Sequence, residues 1–157
     1  MGVRSNAAQA HRVFVAAGLA ERAGEKYYNA AVLLSPAGKI LLHHRKINEL
    51  DIAHDLYSIG DRLGVAETEL GTFGLDICAD NFKASQAIAH VLARMGAQVL
   101  LSPSAWAMPA DHDQAKEPYH GFGTWTKSYA ELAKLYDMYI IGVKGCVMRV
   151  RVQTSIL

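Results

Sequence analysis

Short apolar runs dominate the first half of the chain, and a helical rhythm enters in the second. Residues 11–20 (HRVFVAAGLA) form an apolar run with β-branched side chains, which predicts a buried strand. Residues 21–26 (ERAGEK) are polar around a glycine and predict a turn. The run 27–34 (YYNAAVLL) predicts the next strand, Ser35-Pro36-Ala37-Gly38 a tight turn, and 39–44 (KILLHH) a third strand. The last two runs then make an antiparallel hairpin that Arg45-Lys46 closes. Residues 47–63 have mixed polarity and predict a loop holding one short helix; loops this long in a compact domain often line functional sites. Runs 65–70 and 72–78 predict a second hairpin turning at Gly71.

Over 84–95 the period changes: Ile88, Val91, Leu92 and Met95 recur at helical spacing and form one apolar face. Gly96 stands where a helix end favours a left-handed residue. Residues 97–102 (AQVLLS) predict a strand that Pro103 stops. Strand, helix and strand in this order predict a right-handed βαβ unit with parallel strands. Residues 109–123 read as loop, Trp125, Tyr129, Leu132 and Tyr136 space out another amphipathic helix, and 138–143 predict a last strand. The expected fold class is α/β, with mixed sheets covered by helices.

Composition narrows the classes. The 157 residues suit one domain, and 51% hydrophobic against 20% charged residues predicts a packed core rather than disorder. A net charge of +1 offers no footprint for nucleic acid or acidic membranes. No apolar run reaches the ~18 residues a membrane helix needs, and the polar start lacks a secretory apolar segment. Cys78 and Cys146 lie too far apart to suggest a disulfide framework, so a reducing, cytoplasmic setting is expected. No internal repeat is present.

Cys78 closes the apolar stretch GLDIC, and a polar turn (ADNFKAS) leads from it into the helical segment. Such a strand–elbow–helix brings a side chain to the carboxyl edge of a sheet, near a helix N-terminus. The positive helix end and a nearby cation would favour a thiolate, and free backbone N–H groups there would suit an oxyanion hole. On spacing alone a lone cysteine reads more often as a small buried hydrophobe.

Several motifs in order change that balance. Gly74-Leu75-Asp76-Ile77-Cys78-Ala79-Asp80-Asn81-Phe82 resembles the nucleophile motif of the carbon–nitrogen hydrolase (nitrilase) superfamily. His44-Arg45-Lys46-Ile47 resembles its lysine motif, YYNAAVLLSPAGKILLHHRK its hairpin, and Leu101-Ser102-Pro103-Ser104-Ala105-Trp106 the strand after its catalytic helix. The resemblance covers about residues 13–143 and implies part of an α-β-β-α sandwich: an incomplete domain over 1–143 and a tail, 144–157, without family match. A chain truncated at both ends, or a frame shifted near Lys144, is expected.

The resemblance also implies a chemistry. Cys78 would attack a small-molecule amide or nitrile, forming a thioester that water hydrolyses. Lys46 and the Ala79 backbone N–H would stabilise the oxyanion. Asp55 occupies a place comparable to a supporting carboxylate of the family, and Asp80, Asn81, Phe82, Trp106 and His120 are candidate pocket residues. Phe82-Lys83-Ala84 departs from the family pattern after the cysteine. The family's general-base glutamate lies well before the lysine. Only Glu21 and Glu25 precede Lys46 here, and neither matches it. Since general-base catalysis contributes ~10²–10⁴ in rate, little or no hydrolysis is expected. The alternative is a non-catalytic remnant or oligomerising scaffold, and family habit allows a homodimer or higher homo-oligomer.

No cofactor or metal is expected. His43 and His44, adjacent on a strand, would face opposite ways, and Asp111-His112-Asp113 has no partner at ligand spacing. Gly71-Thr72-Phe73-Gly74 reads as a hairpin turn, not a phosphate loop.

Overall fold

A computed structural model describes residues 2–82, 86–105, 113 and 120–144. It opens on helix α1 (Gly2–His11), which the polar start does not announce. Tertiary contacts hold this helix: Ala8 is fully buried, Ser5 Oγ donates to the Gly38 carbonyl at 2.8 Å, and Gln9 Nε2 donates to that of Ala37 at 2.9 Å.

Strands β1 (Val15–Ala23), β2 (Lys26–Leu34) and β3 (Ile40–Arg45) form an antiparallel three-stranded sheet. The expected turn at 21–26 shrinks to two residues, because Ala23 pairs with Lys26. Polar side chains along one face do not interrupt a backbone ladder, so ERAGEK misleads as a pattern. Strand β2 is central and buried on both faces, which explains its continuous apolar run.

Strands β4 (Val65–Thr68), β5 (Gly71–Leu75), β6 (Val99–Ser104) and β7 (Tyr139–Lys144) make a second sheet in that order. The β4–β5 pair is antiparallel, and β5, β6 and β7 run parallel. Helices α2 (Ala87–Arg94) and α3 (His120–Tyr136) connect the parallel strands, so the predicted βαβ unit is present. Helix α3 begins inside the segment read as loop. Pro103 does not stop β6. The β5 ladder ends at Leu101, so Pro103 lies beside β7 alone and its missing N–H breaks nothing on the β5 side. The buried stripe of α2 is Ile88, Ala89 and Leu92, whereas Val91 and Met95 are more than two-fifths exposed. Gly96, at φ +97°, has the left-handed conformation expected of it.

Three apolar clusters define the layers. Ala8 packs with Val32 and Leu34 between α1 and the first sheet. Ala31, Leu33 and Leu42 meet Phe73, Leu75 and Leu101 between the sheets. Ile88, Leu92 and Leu132 cover Leu100 on the far side. The molecule is thus an α-β-β-α sandwich. Alternate residues of β2 feed two different clusters, as period-2 geometry requires.

The stretch 47–63 is a loop with one short 3-10 turn, Asp51–Ala53, as expected. It is pinned at both ends. The Lys46 N–H donates to the Asn29 carbonyl, and the Gly60 N–H returns to the Lys46 carbonyl, each at 2.8 Å. A side chain at Gly60 would put its Cβ 2.0 Å from the Arg45 carbonyl oxygen, so only glycine allows the loop to close there.

Candidate functional site

The end of β3 and the end of β5 lie at one edge of the sandwich. Lys46 follows the first and Cys78 the second. Strand β5 stops at Leu75, and Cys78 opens a 3-10 turn, Cys78–Asn81, rather than closing a strand. Its backbone is left-handed, φ +50°, which is rare for a residue with a Cβ. Such a conformation costs on the order of 1–3 kcal/mol and persists only where its surroundings enforce it.

Asp80 supplies that enforcement. Its fully buried carboxylate accepts from the Ile77 N–H at 3.0 Å within the cysteine turn. It also accepts from the backbone N–H groups of Ile47 and Asn48, at 3.2 and 2.8 Å, on the lysine loop. His44 Nε2 completes the set at 2.9 Å. One side chain therefore clamps the two segments together. Asn81 anchors the turn from behind: its Nδ2 donates to Asp76 at 2.6 Å and to Ser102 Oγ on β6 at 3.2 Å. Tyr129 of α3 donates to the same Ser102 oxygen at 3.1 Å.

Cys78, Lys46 and Ser102 border one open cleft of about 720 Å³. A neighbour that sequence reasoning missed stands there too. Glu49 borders the cleft, its side chain is fully buried, and its Oε2 accepts from Lys46 Nζ at 2.9 Å. Its Oε1 is also buried and has no hydrogen-bond partner among the described residues. The one available signal was the i, i+3 spacing from Lys46, which many surface pairs share. Another part of the lining is apolar and plain, with Ala16, Gly18 and Ala20 of β1 and Ile141 and Val143 of β7.

The electrostatics differ from the sequence expectation. Burial pushes the Cys78 thiol above its ordinary range; Lys46 and a hydrogen bond from the Ala79 backbone only partly offset this, while Asp80 and Glu49 add to it. The shift favours the thiol over the thiolate. Helix α2 starts at Ala87, beyond a whole 3-10 turn, so the expected support from a helix end is remote. Burial also pushes Asp76 up to about 8, with repulsion from Asp80 adding to the shift.

The other candidates divide. Asp55 is exposed and lies in a surface hollow with Tyr27 and His54, outside the lining of the Cys78 cleft, and the carboxylate that borders that cleft is Glu49. Asp80 and Asn81 are buried behind the cysteine rather than lining the cleft, and Phe82 packs against the core between the sheets. Hydrogen bonding draws the polar pair inward and apolar packing draws Phe82. Trp106 lies outside the described residues, as does the side chain of His120. Cys146, Asp111 and His112 lie outside as well. His43 is exposed and pairs with Glu21 while His44 is buried on Asp80, so the two histidines do face opposite ways. Glu21 also holds Arg45 at 2.6 Å on the outside of the site, and Glu25 is exposed at the β1–β2 turn.

The model of the family described as carbon-nitrogen hydrolase matches residues 4–120. A hydrolase of Schizosaccharomyces pombe is 38% identical over 96 residues, covering 55% of this chain and 29% of the relative. An omega-amidase of Xenopus laevis is 33% identical over 92 residues, covering 53% of this chain and 33% of the relative. The crystal structure of a carbon–nitrogen hydrolase from Helicobacter pylori superposes with a TM-score of 0.80 at 25% identity, over 91% of this chain and 50% of that one. The chain spans about a third of the length of these curated relatives and half of the solved structure.

Proposed function

The chain belongs to the carbon–nitrogen hydrolase family, and from that premise we propose that it cleaves non-peptide C–N bonds of a small amide or nitrile through a thioester on Cys78. The observation that carries this is a cysteine held in a left-handed turn and clamped through Asp80 to the loop that brings Lys46 to the same cleft.

With an amide, the Cys78 sulfur bonds to the carbonyl carbon as its proton departs. The carbonyl oxygen becomes an oxyanion between Lys46 Nζ and the Ala79 N–H, which already points to the sulfur. The tetrahedral centre expels ammonia or an amine, with a proton delivered to the nitrogen, and leaves a thioester. Water then adds to the acyl carbon, the C–S bond breaks, and the sulfur regains a proton as the acid is released. Lys46 suits its role because Glu49 and the protein interior hold its stem in place: the residue is only 3% exposed.

The test is ammonia release from a panel of short amides and nitriles, with mass spectrometry for an acyl adduct on Cys78. Adduct and turnover that both vanish in Cys78→Ala are the expected result. A panel without ammonia release or adduct would defeat the proposal.

A non-catalytic scaffold is the second reading, in keeping with the burial that raises the Cys78 thiol above its ordinary range. A thiol-selective electrophile separates the two. Preferential labelling of Cys78 over Cys146, slowed by Lys46→Ala, supports a working site, and equal slow labelling supports the scaffold.

A further inference from the structure

The cysteine turn is held from the rear as well as from the lysine loop. Asp76 and Asn81 stand on either side of residues 77–80, and Asn81 Nδ2 donates to Asp76 Oδ2 at 2.6 Å. One side-chain bond thus closes the base of the turn that carries Cys78. Both residues are fully buried, as is Ser102 on β6. We propose that Tyr129 of α3 is a positioning residue for Cys78, acting through Ser102 and the Asp76–Asn81 pair. This rests on the thioester reading.

Four observations carry it. The Ser102 oxygen accepts from Tyr129 Oη at 3.1 Å and from Asn81 Nδ2 at 3.2 Å. Two donors fill the lone pairs of a hydroxyl, so its own proton turns elsewhere. Ser102 indeed favours the charged form of Asp76 against the stronger effect of burial. Second, the neighbouring residue of α3 grips the same turn: Ser128 Oγ donates to the Asn81 carbonyl at 2.8 Å, and Gln86 Nε2 holds that hydroxyl at 2.6 Å. Third, room is kept for the ring. A Cβ at Gly142 would lie 2.6 Å from Tyr129 Cε2, and the ring packs against the cluster that includes Cys78. Fourth, the phenol remains a donor: burial pushes it up to about 12, and charge on Asp76 and Cys78 adds to the shift.

The left-handed backbone of Cys78 makes this hold matter, because a residue with a Cβ keeps φ +50° only where its surroundings impose it. Asp80 imposes it from the lysine loop. The Tyr129 network imposes it from β6 and α3. Without the tyrosine donor, Ser102 is free to rotate, the Asp76–Asn81 pair loses its outer anchor, and the sulfur loses its fixed direction into the cleft.

Acetylation of the whole chain by p-nitrophenyl acetate tests this, with the formation of acetyl-Cys78 timed by mass spectrometry across pH. In Tyr129→Phe, which keeps the ring, the rate is expected to fall ~10–10²-fold, as a misplacement of about 1 Å would give, with the pH midpoint kept. Because Tyr129 works through Ser102, adding Tyr129→Phe to Ser102→Ala should cost nothing more. Tyr136→Phe is the control: it too removes a hydrogen bond of α3, to His90 Nδ1 at 2.8 Å, and should leave the rate unchanged. An unchanged rate in Tyr129→Phe overturns the proposal and leaves the thioester reading standing. An equal loss in Tyr136→Phe also overturns it, by reducing the effect to a general loosening of α3. So does a full further loss in the double variant. A moved pH midpoint at an unchanged plateau rate overturns it as well, since Tyr129 would then act on the charge of the sulfur and not on its place. If Tyr129→Phe does not fold, Gly142→Ala carries the test by displacing the ring: a comparable loss supports the proposal, and an unchanged rate overturns it. A chain that never acetylates at Cys78 would instead defeat the thioester reading and this inference with it.

Discussion

The two walls of the cleft are built on opposite principles. The wall of Lys46, Glu49, Cys78 and Ser102 is polar and laced by side chains that are almost wholly buried. The lining from β1 and β7 carries small or aliphatic side chains that are exposed: Ala16, Gly18 and Ala20 with Ile141 and Val143. A buried polar group must find its partner, so each residue of the first wall constrains the others. Exposed apolar residues constrain little. Chemistry is therefore expected to concentrate on the first wall, and tolerance with substrate fit on the second.

The comparison can be broken most severely at the nucleophile. Cys78→Ala is expected to abolish acyl-adduct formation altogether, as read by mass spectrometry. Asp80→Ala removes the acceptor for four donors and leaves His44 buried against nothing; a stability loss of ~3–5 kcal/mol is expected by denaturant unfolding. Lys46→Ala takes away one oxyanion donor and should lower turnover by ~10²–10³. A loss confined to KM would argue against that role.

The pH response sharpens the contrast further. Asp76 has its pKa pushed up to about 8 from 3.8. The folded chain keeps this proton over a range where the unfolded chain has lost it. Its contribution to stability is thus complete below about pH 4 and disappears as pH rises through about 8. Asp76→Asn should flatten that slope in thermal unfolding scans. Glu21, outside the site, has the opposite sign. Arg45 lowers it to about 2 from 4.5, so its contribution is present above pH 4.5 and fades as pH falls through about 2.

The smallest effects belong to the apolar wall. A Cβ added at Gly18 meets nothing within 4 Å, and Ile141 is half exposed. Gly18→Ala and Ile141→Ala should each change stability by less than about 0.5 kcal/mol. Ile141→Ala should instead shift the preference between substrates differing by one methylene, an effect of ~1–3 kcal/mol at most. A large stability loss there would show that this wall is as constrained as the other.

Much of the layout was legible from pattern alone. Alternation and turn residues located both hairpins, and the change to helical spacing located α2 and the parallel unit around it. Motif order paired Cys78 with Lys46, and both stand at one cleft. Errors arose where a local pattern met a distant partner. Helix α1 escaped because its anchor is the β2–β3 turn, 28 to 33 residues away. Glu49 was not singled out because motif spacing carries no account of which carboxylate turns inward. The hydrogen bonds of Asp80 were likewise not legible, since its donors lie both beside it and more than 30 residues earlier.

By itself, the sequence determined most of the elements after α1, the family resemblance and the pairing of Cys78 with Lys46 at one cleft, because periodicity and short motifs are local properties of the chain. Only the tertiary structure decided the protonation of Cys78, the partner of Lys46 and the division of the cleft into a rigid polar wall and a permissive apolar one. Those depend on burial and on charges brought together from separate segments, and burial is a property of the packed whole.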